Sequence, residues 1–183
     1  LCLFGQREAL QGDAALAAES WPGPVLSVEG LSLDGIDLVI DALFGAGLNR
    51  PIEGSARAVL ENVAASGIPV LAVDVPSGVK GNTGQVLGFA VEAQRTVTFA
   101  RMKAAHALYP SRRLCGRIKV EDIGIHDAII SEIAPKTFVN GPVVWPSIPA
   151  RPEEEGHKFR RGHLLVVSGG IESTGAARRS EEH

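Results

Sequence analysis

Short apolar runs alternate with helix-like stretches over the first 125 residues of the chain. The apolar runs, which we predict as strands, cover residues 1–4, 25–28, 38–43, 70–73, 96–99 and 117–123. Between them, residues 14–20 favour a helix capped by Asp13, and residues 53–66 carry apolar side chains at helical spacing before a stop at Gly67. Continuous apolar strands that alternate with helices are typical of a parallel sheet covered on both faces. The predicted fold class is therefore α/β, with a three-layer parallel sheet.

The pattern changes after residue 126. Five prolines between positions 135 and 152 and the acidic run at 153–155 indicate a linker without regular structure. Residues 162–170 then favour a single strand that runs into a glycine turn. We predict three segments: an α/β domain over residues 1–126, a linker over 127–156, and the start of a second α/β domain over 157–183, which is too short to bury a core alone.

Composition and charge exclude several classes of protein. The chain has 183 residues, of which 45% are hydrophobic and 21% charged, and its 18 basic and 21 acidic side chains give a net charge of −3. It is too apolar for a disordered protein, lacks the basic excess of a nucleic-acid-binding domain, and has no apolar run near the roughly 18 residues of a membrane span. Cys2 and Cys115 are too few for a disulfide framework. We expect a reduced, cytoplasmic protein that contacts neither nucleic acid nor membrane. Because it starts at Leu1 inside an apolar run, we expect it to be part of a longer protein, incomplete at both ends.

Asp41 interrupts an apolar strand near its carboxyl end, where open α/β sheets bind ligands. A buried carboxylate costs several kcal/mol unless it is paired, protonated or bound to a cation; the alternative is a helix-capping or salt-bridged aspartate. The turn that follows brings backbone amides and one guanidinium together in a way that suits an anionic phosphate, although a plain tight turn would carry the same glycine pair. Its residues are Gly45, Ala46, Gly47, Leu48, Asn49, Arg50 and Pro51. Arg50 stands where the dinucleotide-binding GxGxxG motif needs its third glycine, so the turn is not that motif.

A second strand, residues 70–73, also ends in an aspartate, Asp74, which is followed by a proline-rigidified turn and the hydroxyl of Ser77. Two strands of one sheet that each end in Asp place two carboxylates at the same edge. That arrangement serves cation binding, general acid–base chemistry, or both. Lys103, His106 and Tyr109 follow the next strand, and they either extend this pocket or form an exposed polar loop.

Residues 37–125 resemble the NAD(P)H-hydrate epimerase family. The segment from Asp41 to Pro51 is similar to the family's DALFGTGLxRP segment, residues 73–78 to its VD(I/V)PSG motif, and residues 82–84 to its (D/N)TG motif. The strand at 96–99 and the residues at 103, 106, 109–110 and 122–125 follow in the same order. Residues 157–177 resemble the opening strand of the ribokinase-like, ADP/ATP-dependent NAD(P)H-hydrate dehydratase domain, which follows the epimerase in bifunctional bacterial repair enzymes.

The resemblance implies repair of hydrated NADH and NADPH, which are small-molecule substrates. The epimerase interconverts the R and S forms at C6 of the nicotinamide ring, and the dehydratase restores the cofactor from the S form with ADP or ATP. By position, Asp41 and Ser77 would bind a potassium ion (K⁺), and the turn from Gly45 to Pro51 would cradle the phosphate-bearing part of the substrate. Asp74 would bind the substrate and carry the acid–base chemistry. The sequence is also compatible with a homo-oligomer.

Two departures from the family pattern bear on activity. The family's upstream Asn-Asn-Gly-Gly-Asp-Gly loop, which adds a potassium ligand and substrate contacts, matches nothing in this sequence, and residues 171–173 differ from the family's usual turn. The competing hypotheses are a non-catalytic remnant that binds a nucleotide or a protein partner, and an ordinary dinucleotide-dependent oxidoreductase. Arg50 argues against the second of these.

Overall fold

The computed structural model describes residues 1–28 and 31–145, together with Leu165, Val167, Gly170 and Gly175. The chain divides into two compact units, Leu1–Val139 and Asn140–His183. Both β-sheets and all of the predicted site residues belong to the first unit.

All six strands among the described residues of the first unit are paired in parallel. β1 (Cys2–Leu3) pairs with β2 (Leu26–Ser27), and helix α1 (Asp13–Ser20) joins them in the chain. The larger sheet has the spatial order β3–β4–β5–β6, with strands β3 (Val39–Asp41), β4 (Val70–Val73), β5 (Arg95–Phe99) and β6 (Arg117–Glu121). The other helices are α2 (Gly54–Ser66), α3 (Ser111–Leu114) and α4 (Asp127–Ile133), and 3₁₀ turns cover Arg7–Ala9, Ala104–His106 and Pro142–Val144. The predicted parallel α/β class is confirmed.

Helix α2 covers one face of the larger sheet. Its buried residues Ala56, Leu60 and Val63 pack with Val70 and Ala72 of β4 in one core cluster. These helix positions are four and three residues apart, the spacing that the sequence pattern predicts. The helix ends at the predicted Gly67, which takes a left-handed conformation (φ 68°). On the opposite face, Ile40 of β3 is 60% exposed.

The register of the sheet sets which side chains share a face. Asp41 is paired with Ala72, and Ala72 with Thr96, so these three side chains form one row on the face that α2 covers. Because side chains alternate along a strand, Thr98 lies on the same face one step nearer the carboxyl edge. Asp74 follows directly after β4.

Two predictions of local structure are wrong. Asp13 is the first residue of α1, and Gly12 takes the N-cap position. Helix α4 forms inside the segment predicted to be an irregular linker. It can do so because the first proline of that segment is Pro135, and because Asp127 supplies a favourable acid in the first turn.

Part of the second predicted domain can be compared with the structure. Leu165, Val167 and Gly170 have no regular secondary structure, and the first two are exposed. The remainder of the strand predicted at 162–170 lies outside the described residues, and of the other dehydratase-like positions only Gly175 is described. None of the helices among the described residues has the length and apolar character that a membrane crossing requires.

Candidate active site at the carboxyl edge of the sheet

Asp41 and Ser77 join the carboxyl ends of β3 and β4. Ser77 Oγ donates a hydrogen bond to Asp41 Oδ1 (2.6 Å), and the Ser77 amide donates to Asp41 Oδ2 (2.8 Å). The Ser77 hydroxyl oxygen also accepts a hydrogen bond from the Phe44 amide (2.8 Å) and lies 3.3 Å from the Phe44 carbonyl oxygen. Asp41 is 6% exposed and Ser77 is fully buried. The structure thus brings together the two residues predicted to bind a cation.

The Asp41 carboxylate is buried and accepts hydrogen bonds from the hydroxyl and the amide of Ser77. Within the described part of the chain, no lysine, arginine or histidine forms an ion pair with Asp41, and Asp41 caps no helix. Neither the salt-bridge nor the helix-cap alternative is therefore found among the described residues. A buried carboxylate needs compensation for its lost hydration, and the two hydrogen bonds from Ser77 contribute to it.

Asp74 stands in a strained conformation at the end of β4. Its backbone is left-handed (φ 70°), which costs a non-glycine residue roughly 1–2 kcal/mol. Its amide donates to the Val97 carbonyl oxygen (2.7 Å), and its Oδ2 accepts a hydrogen bond from the Ala46 amide (2.9 Å). A Cβ at Gly45 would lie 3.2 Å from Oδ2, so glycine permits this close approach. The strained turn thus directs the carboxylate towards the loop that follows β3.

The other oxygen of the Asp74 carboxylate faces β5 and the loop after it. Thr98 Oγ1 donates to Asp74 Oδ1 (2.9 Å), and Lys103 Nζ lies 2.7 Å from the same oxygen. Lys103 Nζ also donates to Thr98 Oγ1 (2.7 Å) and to the Phe99 carbonyl oxygen (3.0 Å). The Lys103 and Asp74 side chains are 25% and 22% exposed. A carboxylate and an ammonium group are therefore paired at a point that solvent reaches.

The environment of Asp74 favours its ionised form. Burial raises the pKa of the Asp74 carboxyl, but hydrogen bonds from Lys103, Ala46 and Thr98, together with the positive charge of Lys103, outweigh that effect. The pKa lies below its ordinary value as a result. At neutral pH the group can accept a proton and has none to donate.

His106 is buried directly behind this pair. It is 2% exposed, its Nδ1 accepts a hydrogen bond from the Lys103 amide (3.0 Å), and its Nε2 lies 2.9 Å from the Asp74 carbonyl oxygen. Burial lowers the pKa of the imidazole. The exposed-loop alternative is therefore wrong for Lys103 and His106, whereas Tyr109 is 72% exposed. Thr98 is a further polar residue of this site that the sequence motifs do not indicate, although a threonine inside an apolar strand next to a predicted site is a signal of a polar role.

In the turn from Gly45 to Pro51, some groups make contacts within the protein and others face solvent. The amides of Ala46 and Leu48 already donate, to Asp74 and to the Gly45 carbonyl oxygen, and the Leu48 side chain packs against the core. Among the described residues, no acceptor is found for the amides of Gly45, Gly47, Asn49 and Arg50. The Asn49, Arg50 and Pro51 side chains are exposed. The loop therefore retains backbone donors and a guanidinium for an anionic ligand.

The parallel α/β sheet, with acidic and hydroxyl side chains at its carboxyl edge, belongs to the Rossmann-like class of folds, in which ligands bind at that edge. Within that class, the sequence identifies the family, because residues 3–105 match the family described as YjeF-related protein N-terminus. This match covers more than half of the chain, which belongs to that family.

Relatives in this family carry names related to nicotinamide cofactors. The chain is 45% identical over 150 residues to the bifunctional NAD(P)H-hydrate repair enzyme Nnr of Thermofilum pendens, covering 81% of this chain and 28% of that protein. It is 46% identical over 99 residues to the NAD(P)H-hydrate epimerase of Limosilactobacillus fermentum, covering 54% of this chain and 47% of that protein. The chain thus spans less than half the length of these relatives. The crystal structure of yeast ynu0 superposes with a TM-score of 0.51 at 18% identity, covering 69% of this chain and 55% of that one, and supports the fold.

Proposed function

We propose that this chain forms the epimerase part of an NAD(P)H-hydrate repair enzyme and interconverts the R and S forms of hydrated NADH and NADPH. The observation that carries the proposal is the Asp74–Lys103 pair, with 2.7 Å between Oδ1 and Nζ, next to a loop in which several amides have no acceptor among the described residues. The names of the relatives indicate the class of substrate, and the Asp74–Lys103 pair provides charged groups for acid–base chemistry on it.

Epimerisation at C6 requires the hydroxyl-bearing carbon to lose and regain one bond. A base takes the hydroxyl proton, the C6–N1 bond breaks with its electron pair moving to N1, and C6 becomes an aldehyde carbon. After rotation, N1 attacks the other face of the aldehyde and the proton returns to oxygen. The ionised Asp74 carboxylate is suited to accept that proton, and the Lys103 ammonium group offsets negative charge that develops nearby.

The Asp41 and Ser77 oxygens fit the proposed potassium ion. The described residues hold no cluster of three or more acidic, histidine or cysteine side chains that would suit a divalent metal. One buried carboxylate, one hydroxyl and the Phe44 carbonyl oxygen instead form an all-oxygen set with a single negative charge. Asp41 and Ser77 would hold the ion, which when bound would supply positive charge to the site.

We propose in addition that this chain is part of a longer protein, which couples this step to dehydration of the S form with ADP or ATP in the cytoplasm. The support is the name of the bifunctional Thermofilum pendens relative and the dehydratase-like sequence from residue 157 onwards. The dehydratase-like segment is only the opening of such a domain, and apart from Leu165, Val167, Gly170 and Gly175 it lies outside the described residues.

The proposal is tested by incubating the purified 183-residue chain with the separated R form of hydrated NADH and following the S form by chromatography. We expect interconversion well above the uncatalysed rate, and we expect Asp74→Asn to remove most of it, because an amide cannot accept the proton. Asp34→Asn, which changes an exposed aspartate in the same unit, is the matched control and should keep the wild-type rate. No interconversion by the folded wild-type chain would contradict the proposal.

Potassium binding is tested separately by thermal unfolding in KCl and in tetramethylammonium chloride at equal ionic strength. We expect KCl to raise the Tm of the wild type and of Asp34→Asn, and to have no such effect on Asp41→Asn, because a ligand that binds only the folded state stabilises it. Equal Tm values for the wild type in both salts would contradict a potassium site.

A further inference from the structure

His106 contacts both members of the Asp74–Lys103 pair through their backbones. Its Nε2 lies 2.9 Å from the Asp74 carbonyl oxygen, and its Nδ1 lies 3.0 Å from the Lys103 amide nitrogen. It is one of the largest fully buried side chains in the described residues. These contacts join two segments that are far apart in the chain, the turn after β4 and the 3₁₀ turn after β5.

The two partners determine the tautomer of the imidazole. A carbonyl oxygen can only accept, so Nε2 must carry the proton, and a backbone amide can only donate, so Nδ1 must be bare. Both ring nitrogens are thereby occupied, and the side chain is 2% exposed. His106 consequently has neither a free nitrogen nor a path by which to exchange a proton with a substrate.

His106 contacts Asp74 at a residue whose backbone is in a strained, left-handed conformation. Asp74 is one of three non-glycine residues with positive φ in the described residues, and its carboxylate reaches Ala46, Thr98 and Lys103 from that conformation. A strained residue persists only when its surroundings hold it in place. Among the residues that the structure describes, the hydrogen bond from His106 is the one that holds the Asp74 carbonyl group.

We propose that His106 is a positioning residue, whose neutral imidazole holds the backbones of Asp74 and Lys103 so that the carboxylate and the ammonium group stay paired at the site. The kinetic consequence rests on the proposed epimerase function, whereas the structural consequence does not. A displacement of the order of 1 Å at a reacting group lowers a rate about 100-fold, so loss of this hold should affect kcat more than KM.

Three variants separate positioning from general stabilisation. His106→Leu fills the space but makes neither hydrogen bond, and His106→Gln offers a donor and an acceptor in the same side chain. Ser111→Ala is the matched control, because it removes a buried hydroxyl that donates to the Ala105 carbonyl oxygen and lies 3.0 Å from the Leu108 carbonyl oxygen, in the neighbouring segment and without contact to the pair.

The first measurement is independent of activity. Long-range ¹H–¹⁵N spectra of the wild type should show a neutral His106 protonated at Nε2, and carboxyl ¹³C titration should show the pKa of Asp74 about one unit higher in His106→Leu than in the wild type, since the pairing with Lys103 is loosened. His106→Gln and Ser111→Ala should keep the wild-type titration. An imidazole protonated at Nδ1, or an unchanged Asp74 titration in His106→Leu, would overturn the proposal.

The second measurement is the KM-against-kcat split for interconversion of hydrated NADH, at a temperature where all variants are folded. We expect His106→Leu to lower kcat about 10- to 100-fold with KM within about threefold, and His106→Gln to restore kcat to within about fivefold of the wild type. Ser111→Ala should lower the Tm but not kcat. Equal kcat values for His106→Leu and the wild type would overturn the proposal, whereas a wild type without activity refutes the proposed function and leaves the NMR measurements to decide on His106.

Discussion

Removal of the Lys103 ammonium group should destabilise the folded chain through Asp74. In Lys103→Met the side chain keeps its length and apolar stem, but the Asp74 carboxylate loses a partner 2.7 Å away. Thr98 Oγ1 and the Phe99 carbonyl oxygen lose the same donor. The Asp74 carboxylate would then retain the Ala46 amide and the Thr98 hydroxyl as donors.

The magnitude follows from distance and exposure. At 2.7 Å and an effective dielectric constant of about 20, the gross attraction between two unit charges is roughly 6 kcal/mol. Desolvation and the ordering of the lysine side chain offset most of it, and fully exposed pairs retain at most about 1 kcal/mol. Because the Lys103 and Asp74 side chains are only about a quarter exposed, we expect a coupling free energy of about 1–2 kcal/mol.

The coupling should depend on pH with a definite sign. The folded-state pKa of Asp74 is lowered relative to the ordinary value of 3.8, so the carboxylate contributes stability that is fully present above pH 3.8 and is lost as the pH falls through the folded-state value. The coupling free energy should therefore be the same at pH 7 and pH 5, and smaller at pH 3.

The assay is a double-mutant cycle by urea unfolding with the wild type, Lys103→Met, Asp74→Asn and the double variant. The Arg57–Glu61 pair of α2 is the control, since it has a similar distance (2.8 Å) but side chains that are 47% and 46% exposed. Its coupling should not exceed about 0.5 kcal/mol. A Lys103–Asp74 coupling no larger than this control, or one that is unchanged at pH 3, would refute the reasoning.

Two further predictions concern the scaffold of the site. Gly78→Ala should lower the free energy of unfolding by more than about 2 kcal/mol, since Gly78 has φ 100° and an added Cβ would lie 1.8 Å from the Phe89 carbonyl oxygen. Gly47→Ala, where an added Cβ would meet nothing within 4 Å, should change the free energy of unfolding by less than about 0.5 kcal/mol in urea titrations. Equal effects of the two substitutions would contradict the role of this clash. Burial raises the pKa of the Cys115 thiol to about 11, so a thiol reagent at pH 8 should label the exposed Cys2 within minutes and Cys115 only on unfolding, and rapid labelling of both would show that Cys115 is accessible in the folded chain.

Much of the fold followed from the one-dimensional pattern. The spacing of Ala56, Leu60 and Val63 predicts α2 because one helix face must be buried against the sheet, and Gly67 predicts its end because a left-handed residue is needed there. The prolines from Pro135 onwards predict irregular structure for the whole segment after residue 126, but α4 occupies the seven residues Asp127–Ile133, which contain no proline.

Apolar runs that end in polar residues and alternate with helices allow few arrangements other than a parallel sheet, so the pattern along the chain predicts Asp41 and Asp74 at one edge of that sheet. Which groups meet at this edge follows from the three-dimensional fold and not from the pattern. The pairing of Ser77 with Asp41 depends on the register between β3 and β4, and the pairing of Lys103 with Asp74 depends on a left-handed residue and a turn held by the buried His106. Such contacts join segments that are some 30 residues apart, and hydrophobic spacing within one segment carries no information about the geometry of another.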